Sequence, residues 1–223
     1  MNAPGEPGGV YRSVLGASFA ELHPRLRTYF SPIPAGSVGR GAGVFERVGT
    51  RPAWLRPLVR LLFDRSHVLT ARWGERVPFT VVNRPASTDA GAAAVAAERR
   101  IAFPSGEWTM VDEISAAGPH PRVGDGAGIR DLIGSPPRLD VLLDAQVQGG
   151  ALEMRSRAAT LILGRVRMPV PRPLAPTVTL TEQWDDSAAK QRVSVTVRAP
   201  LFGTIYEYAG TFSYAIESAG ESA

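Results

Sequence analysis

Two carboxylates stand in series that are otherwise apolar. From Trp108 to Ala116 every second residue runs Trp108, Met110, Asp112, Ile114, Ala116, and from Val178 to Trp184 the series is Val178, Leu180, Glu182, Trp184. Side chains two apart share one face of a strand, so Asp112 and Glu182 each share a face with aromatic and aliphatic neighbours. A carboxylate there is costly unless paired, and burial raises its pKa. In a pocket such a group works as a general acid or base. The plainer alternatives are a salt bridge to an arginine, or a bulge that turns the carboxylate outward. Asp112 and Glu182 are therefore the expected catalytic positions.

Other chemical signatures are incomplete. Gly39-x-Gly41-x-Gly43 and Gly124-x-Gly126-x-Gly128 lack the G-x-G-x-x-G spacing before a helix, and no Gly-Lys-Ser/Thr occurs. They read as turn and strand glycines. His23, His67 and His120 show no metal-ligand spacing and no H-E-x-x-H. His23, before Pro24, reads as a capping or packing residue, and His120 falls in a Pro/Gly loop. His67, at the start of a strand, is the least easily set aside. No G-x-S-x-G nucleophile motif is present. Cysteine is absent, which excludes disulfides, thiolate metal sites and a cysteine nucleophile. Neither a metal nor a cofactor is expected.

One aromatic stripe remains. Tyr206, Tyr208, Phe212, Tyr214 and Ile216 share a strand face. Such a stripe is most simply core, but in a barrel too wide to fill itself it lines an apolar ligand cavity. Trp108, Met110, Trp184, Tyr206, Tyr208, Phe212 and Tyr214 are the expected ligand-lining residues.

The elements that must position these groups are mostly strands. Residues 138–217 alternate apolar and polar almost without a break, in segments 138–148, 151–166, 176–185, 191–199 and 203–217. Gly149-Gly150 is a two-residue hairpin signal. Earlier strands are predicted at 37–48, 67–73, 77–83, 98–103 and 107–117, with 85–96 and 118–137 as loops and a short helix over 92–99 as the alternative. Ser18–Phe30 reads as a helix with Phe19, Leu22, Leu26 and Phe30 on one side and Ser18/Glu21 as a capping box. Residues 51–65 read as a second helix in which Pro57 demands a kink or a second start. Its Trp54, Leu58, Leu61 and Leu62 oppose Arg56 and Arg60. Such a basic amphipathic helix lies on a membrane surface or, more often, lids a barrel or packs on a sheet. The expected fold is mainly β: an antiparallel β-barrel or strongly curled sheet of about ten strands with one or two N-terminal helices. The expected organisation is one β-barrel-like domain over 13–218, with a disordered tail at 1–12 and a flexible tail at 219–223.

Composition narrows the partners. Of 25 basic residues only Lys190 is a lysine, as in chains coded by GC-rich bacterial genomes, and the net charge is +4. No run of five basic residues occurs and no aromatics interleave a basic stripe, so nucleic acid is not an expected partner. No stretch of 18 apolar residues occurs. The N-terminus has neither a basic region nor a hydrophobic one, and cytoplasmic location is expected. No feature sets an oligomeric state.

Several spaced residues carry a resemblance. They are Phe19-x-x-Leu22-His23-Pro24-x-Leu26-Arg27-x-x-Phe30, Gly39-x-Gly41, Gly150-Ala151-Leu152, Pro169-x-Pro171-x-x-Leu174-x-Pro176 and Pro200-x-x-Gly203-x-Ile205-x-x-Tyr208-x-Gly210. Over nearly its whole length the chain resembles a bacterial domain-of-unknown-function family. Its members stand alone or fused behind saccharopine-dehydrogenase-like domains. The resemblance implies no catalytic residue, since the shared positions are mostly Gly, Pro and apolar residues that specify turns and packing.

Two functions are compatible with a container of this kind. The first is binding of a small apolar or amphipathic molecule, such as a lipid, polyprenoid or polyketide, in the barrel cavity. The second is a cofactor-independent cyclase or isomerase of bacterial secondary metabolism. It would fold such a substrate in the cavity, with acid–base help from Asp112 or Glu182 and a tyrosine partner. Peripheral membrane contact through the Trp54 helix is a third, weaker reading.

Overall fold

The alternation of apolar and polar residues produces strands that curl until their edges meet. The computed structural model describes residues 9–118, 127–171 and 173–220. Among them eleven antiparallel strands form one sheet: β1 (Ser37–Thr50), β2 (Trp73–Ser87), β3 (Ala93–Phe103), β4 (Gly106–Ala117), β5 (Gly128–Ile133), β6 (Leu139–Gln148), β7 (Ala151–Leu163), β8 (Val166–Pro169), β9 (Thr177–Asp185), β10 (Lys190–Ala199) and β11 (Gly203–Ser218). The order is β6-β5-β4-β3-β2-β1-β11-β10-β9-β7-β8, and β6 also pairs with β7. Ten strands thus close into a barrel, which removes the exposed edges of an open sheet. The eleventh, β8, lies outside. It pairs with Thr160–Leu163 of β7, while β9 takes Leu152–Arg155 on the same strand.

Bulges adjust the closure. The register shifts between Phe45 and Arg47 against β11, between Leu142 and Leu143 against β7, and between Val197 and Arg198 against β11, which adds the local twist a closed barrel needs. Gly149 and Gly150 both take positive φ, 57° and 80°, as the predicted two-residue hairpin requires.

Several predicted elements differ. Residues 67–72 form no strand, and the separate strands at 67–73 and 77–83 are replaced by the single strand β2. The Ala/Gly loop shrinks because β2 and β3 extend into it, and the alternative helix over 92–99 is overturned, since β3 begins at Ala93 and pairs with β2. The loop predicted at 118–137 contains β5, which is too short to show an alternation of its own; the Gly124-x-Gly126 motif lies outside the described residues.

The N-terminal helix predicted over Ser18–Phe30 is two pieces: a 3-10 segment at Gly16–Glu21 and α2 (Pro24–Phe30). Pro24 is the cause. It has no N–H for a helix interior and drives the preceding residue extended, and Leu22 and His23 have ψ of 146° and 140°. His23 becomes the N-cap, its Nδ1 accepting from the Arg25 N–H at 3.3 Å, so the Ser18 capping box does not form. The apolar side survives the break: Phe19, Leu22, Leu26 and Phe30 are all buried. Residues 10–12, read as tail, instead begin α1 (Val10–Leu15), whose Val10 and Tyr11 are buried. After β1, Pro57 opens a second start: a 3-10 turn at Ala53–Leu55 precedes α3 (Arg56–Leu62). Among the described residues no helix is long and apolar enough to cross a membrane.

The interior divides into two apolar clusters. One gathers Phe45, Val77, Phe79, Ile101, Trp108, Tyr206 and Phe212 from β1–β4 and β10–β11. The other joins Val10, Tyr11, Leu15, Phe19, Leu26 and Phe30 to Ile129, Val141, Leu143, Leu152 and Met154 of β5–β7. The N-terminal segment therefore plugs the barrel, and a hydrogen bond from His23 N to Gly150 O (2.9 Å) ties it to the β6–β7 turn.

Candidate functional site

Where the two apolar clusters meet, the inward faces turn polar. β3 contributes Arg99, β4 Asp112, β5 Asp131 and β9 Glu182, and β2 adds Asn83. All five line one enclosed cavity of about 70 Å³ together with Met110, Tyr208 and the plug residues Tyr11 and Tyr29. That volume has room for a few waters. A second void of about 20 Å³ is lined in turn by Tyr29, Arg99, Glu182, Tyr208 and Phe212.

Arg99 Nη1 pairs with Asp112 Oδ1. Arg99 faces Met110 across the strand pair, which puts Asp112 on the diagonal within reach of its long side chain. Asp112 is 4 % exposed and its Oδ2 has no hydrogen-bond partner. Asp131 Oδ1 is likewise buried and unpartnered. Burial, and next the charge of Asp112, hold the Asp131 carboxyl well above the usual carboxylate range, so it keeps its proton beside the ion pair. Across the barrel, burial raises Glu182 to about 7 against the lowering effects of a hydrogen bond from Gln191 Nε2 and the Arg99 charge. Tyr11 and Tyr29 are pushed up by burial and then by Glu182, so both remain hydroxyl donors. A neutral acid, an ion pair, a titrating acid and phenols thus surround one small space. The set can hold a polar group by hydrogen bonds or move a proton.

The expected site residues separate. Asp112, Glu182, Met110 and Tyr208 line the larger cavity, and Phe212 the smaller. The salt bridge weighed as the plainer alternative does form at Asp112, yet inside the barrel. Trp108 packs in the core with Nε1 donating to Asp64 O at 3.2 Å. Tyr206 is buried at 1 % exposure in the same cluster. Trp184 sits at the plug, its ring stacked on His23 at 5.9 Å with the Arg25 guanidinium 5.7 Å away. Tyr214 points inward at the plug end of the barrel, its hydroxyl buried beside Gly39, and packs edge-on against Tyr29 at 4.6 Å. His67 begins no strand; it lies in the loop before β2 with Nδ1 2.9 Å from Thr109 O. His120 lies outside the described residues. Among the described residues no group of three or more His, Asp or Glu is placed to hold a metal ion.

Arg99, Asp131, Asn83 and Gln191 were not expected at the site. Three of them carry the signal that exposed Asp112 and Glu182: a polar residue in an apolar series. Asn83 follows Val77, Phe79 and Val81; Gln191 precedes Val193, Val195 and Val197; Arg99 precedes Ile101 and Phe103. Asp131, between Ile129 and Ile133, was hidden by the loop assignment of its strand.

The glycines of β1 are packing positions. A Cβ at Gly43 would lie 2.1 Å from Thr211 O of β11, and one at Gly39 would lie 1.5 Å from the Tyr214 hydroxyl.

No curated protein matches the chain. A family model described as Domain of unknown function (DUF4166) matches residues 22–212, a span that takes in α2 and every strand except the end of β11. With α2 and every cavity-lining strand position inside that match, the chain belongs to this domain-of-unknown-function family.

Proposed function

We propose that the barrel binds a small amphipathic molecule, with its polar end at Asp112 and Asp131 and its apolar body along Met110, Ile129, Leu143 and Met154. The observation that carries this reading is the pair of buried oxygens, Asp112 Oδ2 and Asp131 Oδ1, that face the cavity without hydrogen-bond partners. Buried polar atoms are rarely left unmatched, and a ligand hydroxyl or amine would match both. Sites for drug-sized ligands occupy ~300–1,000 Å³, well above the present cavity of about 70 Å³. A lipid or polyprenoid therefore enters as the plug around Tyr11 and Tyr29 withdraws.

A second reading uses the same space for chemistry. Glu182, raised to about 7 by burial, has the protonation balance of a general acid–base. It lies across from an ion pair that can stabilise developing charge. A cofactor-independent isomerisation or cyclisation fits these groups.

The test is native mass spectrometry of the purified chain, organic extraction of what it carries, and thermal shift with fatty acids and prenyl alcohols. Binding predicts an extractable small molecule or a raised Tm, reduced in Met110→Trp, which fills the cavity. No bound mass and no shift with any of these compounds would overturn the reading. Turnover of the extracted molecule that Glu182→Gln abolishes without loss of binding favours the catalytic version.

A further inference from the structure

The topology gathers exposed apolar side chains at one end of the barrel. The connection β1–β2 with α3, the turn β10–β11 and the connection β7–β9 with β8 all emerge at the end opposite the β6–β7 and β9–β10 turns that meet the plug. They neighbour one another around the rim, because the strand order runs β2-β1-β11-β10-β9-β7. Of the twelve large hydrophobic side chains exposed among the described residues, ten lie on these three connections or the strand ends beside them; the other two, Val44 and Ile216, are on β1 and β11. Leu61 is 78 % exposed and Leu201 83 %. Trp54 and Phe202, from different connections, meet edge to face at 5.1 Å. Monomeric proteins rarely leave so concentrated an apolar rim in water.

Cations surround it. Arg56, Arg60, Arg65, Arg165 and Arg198 lie on the same connections or strand ends, and none forms an ion pair among the described residues. In residues 51–66 four arginines stand against one acid, Asp64, whose carboxylate accepts from the Ala71 N–H. Leucine tips, an amphipathic tryptophan and unneutralised arginines match the acyl boundary, the headgroup layer and the charge of an anionic bilayer in turn.

We propose that this rim docks the barrel end-on to an anionic lipid surface, with Trp54, Leu61, Leu201 and Phe202 inserted and Arg60 and Arg65 on the headgroups. The proposal stands apart from what the cavity holds.

Flotation of the full chain with vesicles of phosphatidylglycerol and phosphatidylcholine, against phosphatidylcholine alone, tests it. Binding to the anionic vesicles that weakens with salt is expected. The double variant Leu61→Ser/Leu201→Ser should lower partitioning at least about tenfold, and Arg60→Gln and Arg65→Gln about fivefold each. These side chains are exposed, so circular dichroism and melting should match the parent. No flotation with anionic vesicles, or flotation that the variants leave unchanged, overturns the proposal. Self-association in sedimentation that Leu61→Ser/Leu201→Ser abolishes, without vesicle binding, overturns it in favour of a second copy of the chain.

Discussion

Arg99 donates from Nη1 to Oδ1 of Asp112 inside the barrel, and the other oxygen of that carboxylate faces the cavity without a partner. Their side chains are 17 % and 3 % exposed, so both charges are largely withdrawn from bulk water. This single cation stands among three inward carboxyl groups, and two of them, Asp131 and Glu182, are raised by burial toward the neutral form.

Removing the cation should therefore cost more than removing the pair. Arg99→Met leaves the Asp112 charge buried and alone, with an expected loss of ~3–5 kcal/mol of stability. The double variant Arg99→Met/Asp112→Leu should recover most of that loss. Urea unfolding of the two variants measures the difference; equal losses would mean the pair is not coupled.

The stability should also depend on pH through Glu182. Burial lifts its pKa from 4.5 to about 7. Between those values the folded chain keeps a proton that the unfolded chain releases. The contribution is full below about pH 4.5 and is lost as the pH rises through about 7. Asp131 is shifted in the same direction and adds to the fall. Glu182→Gln should match the parent at low pH and exceed it by up to roughly 3 kcal/mol above about pH 8. Unfolding free energies measured across this range check it, and a pH-independent difference would remove Glu182 from the titration.

Close approach of β1 and β11 makes a third expectation. The Cβ of Gly43→Ala would meet backbone, Thr211 O at 2.1 Å, whereas that of Gly39→Ala would meet the hydroxyl end of the Tyr214 side chain. A side chain can swing aside and a paired strand cannot. Gly43→Ala should therefore cost ~1–3 kcal/mol or more, and Gly39→Ala clearly less. Thermal melts of the two variants rank them.

Much of the site was legible through parity alone. Met110, Asp112 and Ile114 face inward as their spacing requires, and so do Leu180 and Glu182. The same rule applied to Asn83, Arg99 and Gln191 would have found three more polar positions. It failed where the local pattern was too short, at β5, and where proline reset the backbone, at Leu22–His23. It also placed Trp108, Tyr206, Trp184 and Tyr214 on the cavity, because a strand face tells inside from outside but not the depth along the barrel axis.

Most strands, their inward faces and the apolar side of the N-terminal segment could be read from local pattern. Those features follow from period-two alternation and from local steric rules at Gly and Pro. Which inward residues meet depends instead on how the strands pair over long range. Arg99 reaches Asp112 because β3 pairs with β4 in one register, and Glu182 joins them because the sheet closes through β6 and β7. Closure also set Tyr11 and Tyr29 of the plug among the carboxyl groups, and the pairing of β1 with β11 gathered Trp54, Leu61, Leu201 and Phe202 on one rim. Such meetings depend on strand order and on long-range register, and neither is encoded within a window of neighbouring residues.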